Sequence, residues 1–191
     1  RDRAIENLIK EIVDSTWISM NLSRVDGSDS SQITKILDEV RTPPFGDGDR
    51  VVLVQKSPFC NNCPNQIANK FEGVIELIPQ QTHLILSNSS KPDGRLKTTK
   101  TLKKLTAQKQ VQERSFLLPA IWDENGQRNL IERTAEELGL SIEDEATFLL
   151  VQKIGNESSK LFSELEKLAL LEESKNRKVL AHGEKLLITA A

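Results

Sequence analysis

A glycine-rich turn, GDGDR at residues 46–50, is the part of this sequence whose residue types most suggest chemistry. In nucleotide-binding proteins such a turn leads into a helix, and its backbone N–H groups converge with the helix N-terminus on phosphates. A P-loop needs the run G-x-x-x-x-G-K-[ST], which does not occur here. Gly46 and Gly48 supply a G-x-G, but Val51 stands where the dinucleotide fingerprint has its third glycine. The turn therefore predicts no known phosphate cradle.

The sequence offers little material for a catalytic or metal centre. Its two histidines, His83 and His182, accompany no tyrosine and no G-x-S-x-G run, which disfavours a Ser/His/Asp triad. The apolar run VVLV that follows the turn ends at Gln55 and Lys56, where a P-loop ATPase normally carries an acidic magnesium ligand. We predict no catalytic site, no metal site and no cofactor.

The two cysteines form a single C-x-x-C motif, Cys60 and Cys63. A structural zinc site needs four ligands, and neither histidine lies at a recognisable spacing from the motif. A redox pair needs a helix N-terminus that lowers a thiol pKa, and a helix is predicted just after Cys63. Two reduced cytosolic thiols beside a turn are the favoured interpretation, and the redox and metal interpretations stay open.

The turn lies within an alternation of strands and helices. Alternating apolar and polar residues predict the first strand, and the uniformly apolar VVLV predicts a strand covered on both faces. Pro43 and Pro44 must stop the helix that precedes the turn. The predicted elements are strand 15–25, helix 33–40, strand 51–54, helix 64–77, strand 82–86, helix 95–107 and strand 110–116. This order predicts an α/β domain at residues 1–118, with a parallel sheet and helices on both faces.

From Pro119 onward the sequence predicts helices only. Three amphipathic segments follow one another, RNLIERTAEELGL, SIEDEATFLLVQKIG and ESSKLFSELEKLALLEE. Gly139 and Gly155 are expected to end the first two helices, and Ser141 with Asp144 predicts a variant capping box at the start of the second. Residues 119–191 are thus predicted to form a small three-helix domain.

Composition is that of a soluble globular protein. Hydrophobic residues make up 37% and charged residues 28%, and no window approaches the roughly 18 apolar residues of a membrane helix. The charged N-terminus does not resemble a signal peptide, so we expect a cytoplasmic protein without membrane contact. Because the chain starts at Arg1 and not at a methionine, we also expect it to be a piece of a longer protein.

Basic residues are concentrated ahead of the helical domain. Residues 87–115 contain eight basic and two acidic residues, whereas residues 123–173 contain five basic and thirteen acidic ones. Lys97, Lys100 and Lys104 recur at i, i+3 and i+7, so they share one face of the predicted helix. That face is a candidate DNA-facing surface, although most lysine-rich helix faces are simply solvated.

Several segments, taken in order, resemble one protein family. They are EVRTPPFGDGDRVVLVQK, THLILSNSSKPDGRLKTTKTLKKL, IWDENGQRNLIERTAEELGLSIEDEATFLL and GNESSKLFSELEKLAL. Together they are similar to the delta subunit of bacterial DNA polymerase III, the clamp-loader component that opens the sliding clamp. The resemblance implies an AAA+-type domain and a helical lid in a subunit that does not hydrolyse ATP. It also implies a first strand ahead of Arg1 and a collar domain after Ala191.

The resemblance further implies a binding site at the turn. In the family an exposed hydrophobic pair inserts into a pocket on the clamp, and here the pair falls on Pro44 and Phe45. Two large residues are more usual there, so Phe45 is the stronger assignment. From the residues alone, Phe45 either plugs the edge of its own core or is presented to a partner. The implied partners are the sliding clamp, the other clamp-loader subunits through the collar, and primed DNA indirectly or weakly.

Two alternative functions stay open at this point. One is an ATP-hydrolysing AAA+ enzyme whose P-loop lies upstream of residue 1. The other is a DNA-binding module that acts through the face from Lys97 to Lys104.

Overall fold

The computed structural model describes residues 1–175, which belong to two compact units, Arg1–Arg114 and a second that begins at Ser115. The helices are α1 (Asp2–Ile12), α2 (Ile18–Asn21), α3 (Ser30–Glu39), α4 (Asn65–Ile75), α5 (Lys97–Ala107), α6 (Glu124–Glu137), α7 (Asp144–Ile154) and α8 (Ser158–Lys175). The strands are β1 (Leu22–Asp26), β2 (Arg50–Gln55) and β3 (Thr82–Ser87). No helix of the described residues has the length and apolarity needed to cross a membrane.

The sheet of the first unit is parallel throughout, with the strand order β1-β2-β3. Leu22 pairs with Val51 and Arg50 pairs with Thr82, so the three strands begin at one edge of the sheet. We call this the amino edge, and the opposite edge, where the strands end, the carboxyl edge. Residues 51–54 are fully buried, which confirms the prediction of a strand covered on both faces.

Helices cover both faces of this sheet. Val52 and Val54 point to the face on which α3 and α4 supply the core. Val51 and Leu53 point to the other face, where they pack with Ile9 of α1. Successive residues of a strand point to opposite faces, so β2 contributes equally to both cores. The prediction of an α/β fold with a parallel sheet and helices on both faces is confirmed.

The predicted strand at residues 15–25 is wrong in its first half. α2 occupies Ile18–Asn21, and β1 begins only at Leu22. Ile18 and Met20 are exposed, whereas the polar Asn21 is fully buried. In a half-buried strand the apolar residues face the core and the polar residues face solvent. Here the apolar residues Ile18 and Met20 face solvent and the polar Asn21 is buried.

Two smaller predictions are also wrong. Residues 110–116 form no strand, since the sheet of the described chain ends at β3 and most of these side chains lie in solvent. α7 begins after Glu143 and not at Ser141, and no side chain caps its first turn. α1 lies outside the predicted elements, although Ile5, Ile9 and Ile12 have the spacing of an amphipathic helix.

The second unit contains the three predicted helices α6, α7 and α8. Their apolar faces meet in one cluster, which includes Ile131, Leu150 and Leu161. Gly139 and Gly155 follow α6 and α7 with φ values of +72° and +61°, as the sequence predicts for residues that end helices.

Candidate functional site

Residues 42–49, which we call the tip, connect α3 to β2 at the amino edge of the sheet. Both ends of the tip are tied to β3. Thr82 Oγ1 donates a hydrogen bond to the carbonyl of Thr42 at 3.1 Å, and His83 Nε2 lies 2.6 Å from the carboxylate of Asp49. The glycine-rich turn is therefore a connection fixed at its start and at its end.

Asn21, the last residue of α2, holds the middle of the tip. Its side chain is fully buried. Its Oδ1 accepts a hydrogen bond from the N–H of Phe45 at 2.7 Å, and its Nδ2 donates to the carbonyl of Phe45 at 3.0 Å. The two bonds satisfy both the N–H and the C=O of Phe45. A residue on a neighbouring strand makes the same pair of bonds in an antiparallel sheet. The backbone of Phe45 is thus fixed while its side chain stays free for other contacts.

Trp17 supports Phe45 from one side. The two rings meet edge to face, with centroids 5.1 Å apart and planes at 67°. Gly46 has a φ of +67°, and a Cβ at this position would lie 2.6 Å from Cε2 of Trp17. Both the left-handed backbone and the short distance require glycine. The glycine that suggested a phosphate cradle instead lets the tip close over Trp17.

Phe45 does not plug a core, because 55% of the residue is exposed, and Pro44 beside it is half-buried. In residues 1–114, all of which the structure describes, the other exposed large apolar side chains are Ile18, Met20 and Leu77. α2 leads into β1, the tip leads into β2, and Leu77 lies in the connection from α4 to β3. Since the strands are parallel, all four side chains belong to the amino edge.

Arg50, the first residue of β2, contacts three neighbouring elements at the amino edge. Its Nη1 donates to the carbonyl of Met20 at 3.4 Å, and its Nη2 donates to Ser23 Oγ at 3.3 Å. The same Nη2 lies 3.7 Å from the carboxylate of Glu39 at the end of α3. The several N–H donors of the guanidinium thereby connect α2, β1 and α3, the elements next to the tip.

The carboxyl edge, where open α/β proteins usually bind nucleotides, carries an ion pair. Lys56, which follows β2, lies 2.8 Å from the carboxylate of Asp26 at the end of β1. The hydrogen bond from Lys56 lowers the pKa of Asp26 to about 2. Among the described residues, no group of three or more His, Cys, Asp or Glu side chains is placed to hold a metal ion. Asp26 pairs in register with Gln55, the last residue of β2, and its carboxylate is already bound by Lys56.

Cys60 and Cys63 are free and only partly exposed, in the segment between β2 and α4. Burial raises the pKa of both thiols. A reactive or redox cysteine needs the opposite shift, because the thiolate is the nucleophile. The geometry therefore favours two neutral thiols at physiological pH.

The lysines of the predicted basic face of α5 differ in whether an acidic side chain pairs with them. Lys97 is paired with Glu72 of α4, so its charge is already balanced. Lys100, Lys103 and Lys104 are exposed, and within the described chain no acidic side chain pairs with them. The part of the face that could meet phosphates is therefore the second half of the helix.

Trp17 and Asn21 are the residues of this site that the sequence patterns do not reveal. Both lie in the stretch predicted as a strand, where a buried asparagine has no periodic signature. Gly46 is the one local signal, since a glycine beside prolines suggests a close approach. The sequence does not say which residue approaches it.

Comparison with known proteins places the site within a family. The family model of the DNA polymerase III delta subunit matches residues 2–112, more than half of the chain. The chain belongs to this family. The match includes the tip, Trp17 and Asn21. No match was found among curated proteins.

The chain is also similar in fold to the DNA clamp loader delta protein of Bacillus subtilis. The TM-score is 0.71 at 21% sequence identity, over 94% of this chain and 51% of that protein. This likeness supports the α/β fold with a parallel sheet. The chain spans about half the length of that protein.

Proposed function

We propose that this chain is a non-hydrolysing subunit of the clamp loader of DNA polymerase III, and that it binds the sliding clamp and helps to open it during DNA replication. Membership of the delta-subunit family and the fold likeness to a clamp loader delta protein support the clamp-loader role. The observation that carries clamp binding is the presentation of Phe45, a largely exposed aromatic on a tip held by hydrogen bonds at its start, middle and end.

A held aromatic is well suited to insertion into a pocket of another protein. Association costs less when the inserting segment is already ordered, and here Asn21 orders the backbone of Phe45 before the partner arrives. Aromatic anchors in desolvated pockets are typical hot spots, surrounded by contacts that exclude water. Ile18, Met20 and Leu77 provide apolar surface on the same edge. Pro44 contributes less, because it is half-buried and small.

The carboxyl edge supports the non-hydrolysing part of the proposal. An ATP-hydrolysing AAA+ enzyme needs a free acidic ligand for magnesium near the end of its central strand. At that position β2 ends in Gln55, and Lys56 is bound to Asp26. A G-x-x-x-x-G-K-[ST] run upstream of residue 1, with ATP hydrolysis by the longer protein, would overturn this part.

We assign residues 1–118 to the AAA+-like domain and residues 119–191 to the lid, although residues 176–191 of the predicted lid lie outside the described residues. The other clamp-loader subunits are proposed partners through a collar domain outside this chain, and the cytoplasm is the proposed location. Weak contact with primed DNA is assigned to Lys100 and Lys104. These two lysines are exposed, whereas Lys97 is held by Glu72.

A titration of the whole chain with its cognate sliding clamp, followed by amide hydrogen exchange, tests the proposal. We expect binding, with slowed exchange at residues 42–49 and in α2. Protection confined to residues 87–115 or to the second unit, or an absence of binding, would contradict it.

A further inference from the structure

We propose that Asn21 is a positioning residue for clamp docking, which acts only through the backbone of Phe45. This inference rests on the proposed function, since it explains how the docking side chain is held. It adds a residue that lies in another element, 24 positions earlier in the sequence.

The chemistry of Asn21 suits this role. Only asparagine and glutamine carry a donor and an acceptor side by side on an uncharged side chain, so they can pair with both polar groups of one peptide residue. Within the described chain, both side-chain hydrogen bonds of Asn21 go to Phe45. The backbone N–H of Asn21 is used separately, by the carbonyl of Trp17 at 2.9 Å. The amide therefore joins α2 to the tip, and among residues 1–175 it has no other polar partner.

A role in core packing alone does not account for this residue. Burying an amide is unfavourable unless it is hydrogen-bonded, and an apolar side chain would fill the same space at less cost. The partner of Asn21 is a residue whose own side chain is mostly in solvent. The two bonds thus stabilise an exposed feature, and they do so by fixing the direction in which the Cα–Cβ bond of Phe45 points.

Loss of Asn21 leaves the tip tied at its ends, while its middle keeps only the packing against Trp17. Thr42 and Asp49 keep their hydrogen bonds to β3, while Phe45 samples orientations that do not match a pocket. The apparent dissociation constant rises as the fraction of molecules in the binding orientation falls. Two hydrogen bonds of ordinary net strength limit this loss to roughly 30-fold, and we expect a loss of roughly tenfold because the tip stays tied at both ends.

A double-mutant cycle on the 191-residue chain separates positioning from general stability. Clamp affinity is measured for the wild type, Asn21→Ala, Phe45→Ala and the double variant. We expect Asn21→Ala to weaken binding roughly tenfold in the wild-type background and less than about twofold when Phe45 is already alanine. A tenfold loss in both backgrounds would overturn the inference, because Asn21 would then act through another contact. The control Asn156→Ala removes a comparable side-chain bond, to the carbonyl of Pro119, and should not change clamp affinity.

Amide exchange of Phe45 reports on the same bonds without the clamp. In the wild type the N–H of Phe45 should exchange more slowly than those of Gly46 and Asp47, which within the described chain donate no hydrogen bond. Asn21→Ala should remove this difference between Phe45 and the two residues that follow it. Unchanged protection of Phe45 would overturn the inference even if clamp affinity falls.

The outcomes also separate this inference from the proposed function. If Phe45→Ala binds as tightly as the wild type, the proposed docking site fails, while the exchange measurement still reports whether Asn21 holds the tip. If Phe45→Ala weakens binding and Asn21→Ala does not, the positioning role fails alone. Should Asn21→Ala prevent folding, Asn21→Leu keeps a similar volume, removes both bonds, and is expected to give the same results.

Discussion

Replacing Gly46 with alanine should separate the tip from Trp17. Gly46 has a φ of +67°, which costs an alanine about 1 kcal/mol. The new Cβ would lie 2.6 Å from Cε2 of Trp17, whereas carbon atoms pack best at roughly 3.5 to 4 Å. The tip or the indole must therefore move by about 1 Å. Such a movement disrupts the edge-to-face contact between Trp17 and Phe45.

The expected loss follows from these two contributions. An aromatic pair of this geometry contributes about 0.5 to 1.5 kcal/mol beyond its buried area. Together with the backbone penalty, Gly46→Ala should lower the free energy of unfolding of the first unit by about 2 kcal/mol. The environment of the Trp17 indole should change with it.

Urea unfolding and tryptophan fluorescence measure these two effects. The chain has two tryptophans, so the experiment uses a Trp122→Phe background, in which only Trp17 emits. Gly73→Ala is the matched control. A Cβ at Gly73, an exposed position in the last turn of α4, meets nothing within 4 Å, and the substitution should stabilise the unit by up to about 1 kcal/mol. If Gly46→Ala leaves both the stability and the Trp17 emission unchanged, the described packing of the tip is wrong.

Two further predictions concern charged residues away from the tip. Lys56→Met should raise the pKa of Asp26 from about 2 toward its ordinary value, because the Lys56 hydrogen bond is the main cause of the shift. The pKa is lowered in the folded protein, so the stabilisation is present above the unfolded pKa and is lost as the pH falls through about 2. An NMR titration of Asp26 checks this, and an unchanged pKa would contradict it. In DNA-binding measurements, Lys100→Ala with Lys104→Ala should reduce the salt slope of log affinity by about two. Lys97→Ala should reduce the slope by less than about one, because Glu72 already balances the charge of Lys97. A reduction by about one, as expected for each of the other two lysines, would contradict this interpretation.

The fold could be predicted wherever a pattern is long and local. Neighbouring residues alone predict three features of the fold. These are the buried strand at VVLV, the end of α3 before the prolines, and the ends of α6 and α7 at glycines. The first strand was harder to place, because Ile18 and Met20 alternate as a buried strand face would but are exposed. Alternating apolar residues that face solvent have the same spacing as a buried strand face, so the pattern alone does not distinguish the two.

The candidate site could be predicted only in part. Phe45 stands out in the sequence because prolines and glycines enclose it. Trp17 and Asn21, which hold Phe45, lie in and just before α2. The parallel pairing of β1 with β2 brings them next to the tip. Contacts between residues far apart in sequence leave no periodic trace, so a single sequence does not reveal them.

The most direct test of the account is the affinity of the chain for its cognate sliding clamp after Phe45→Ala, measured by calorimetric titration. Phe148→Ala is the matched control, since Phe148 is 47% exposed on α7 and Phe45 is 55% exposed on the tip. The account predicts that Phe45→Ala weakens binding by about 2 kcal/mol, roughly 30-fold, and that Phe148→Ala leaves it unchanged. Wild-type affinity of Phe45→Ala, or an equal loss in both variants, would contradict the claim that the tip binds the clamp.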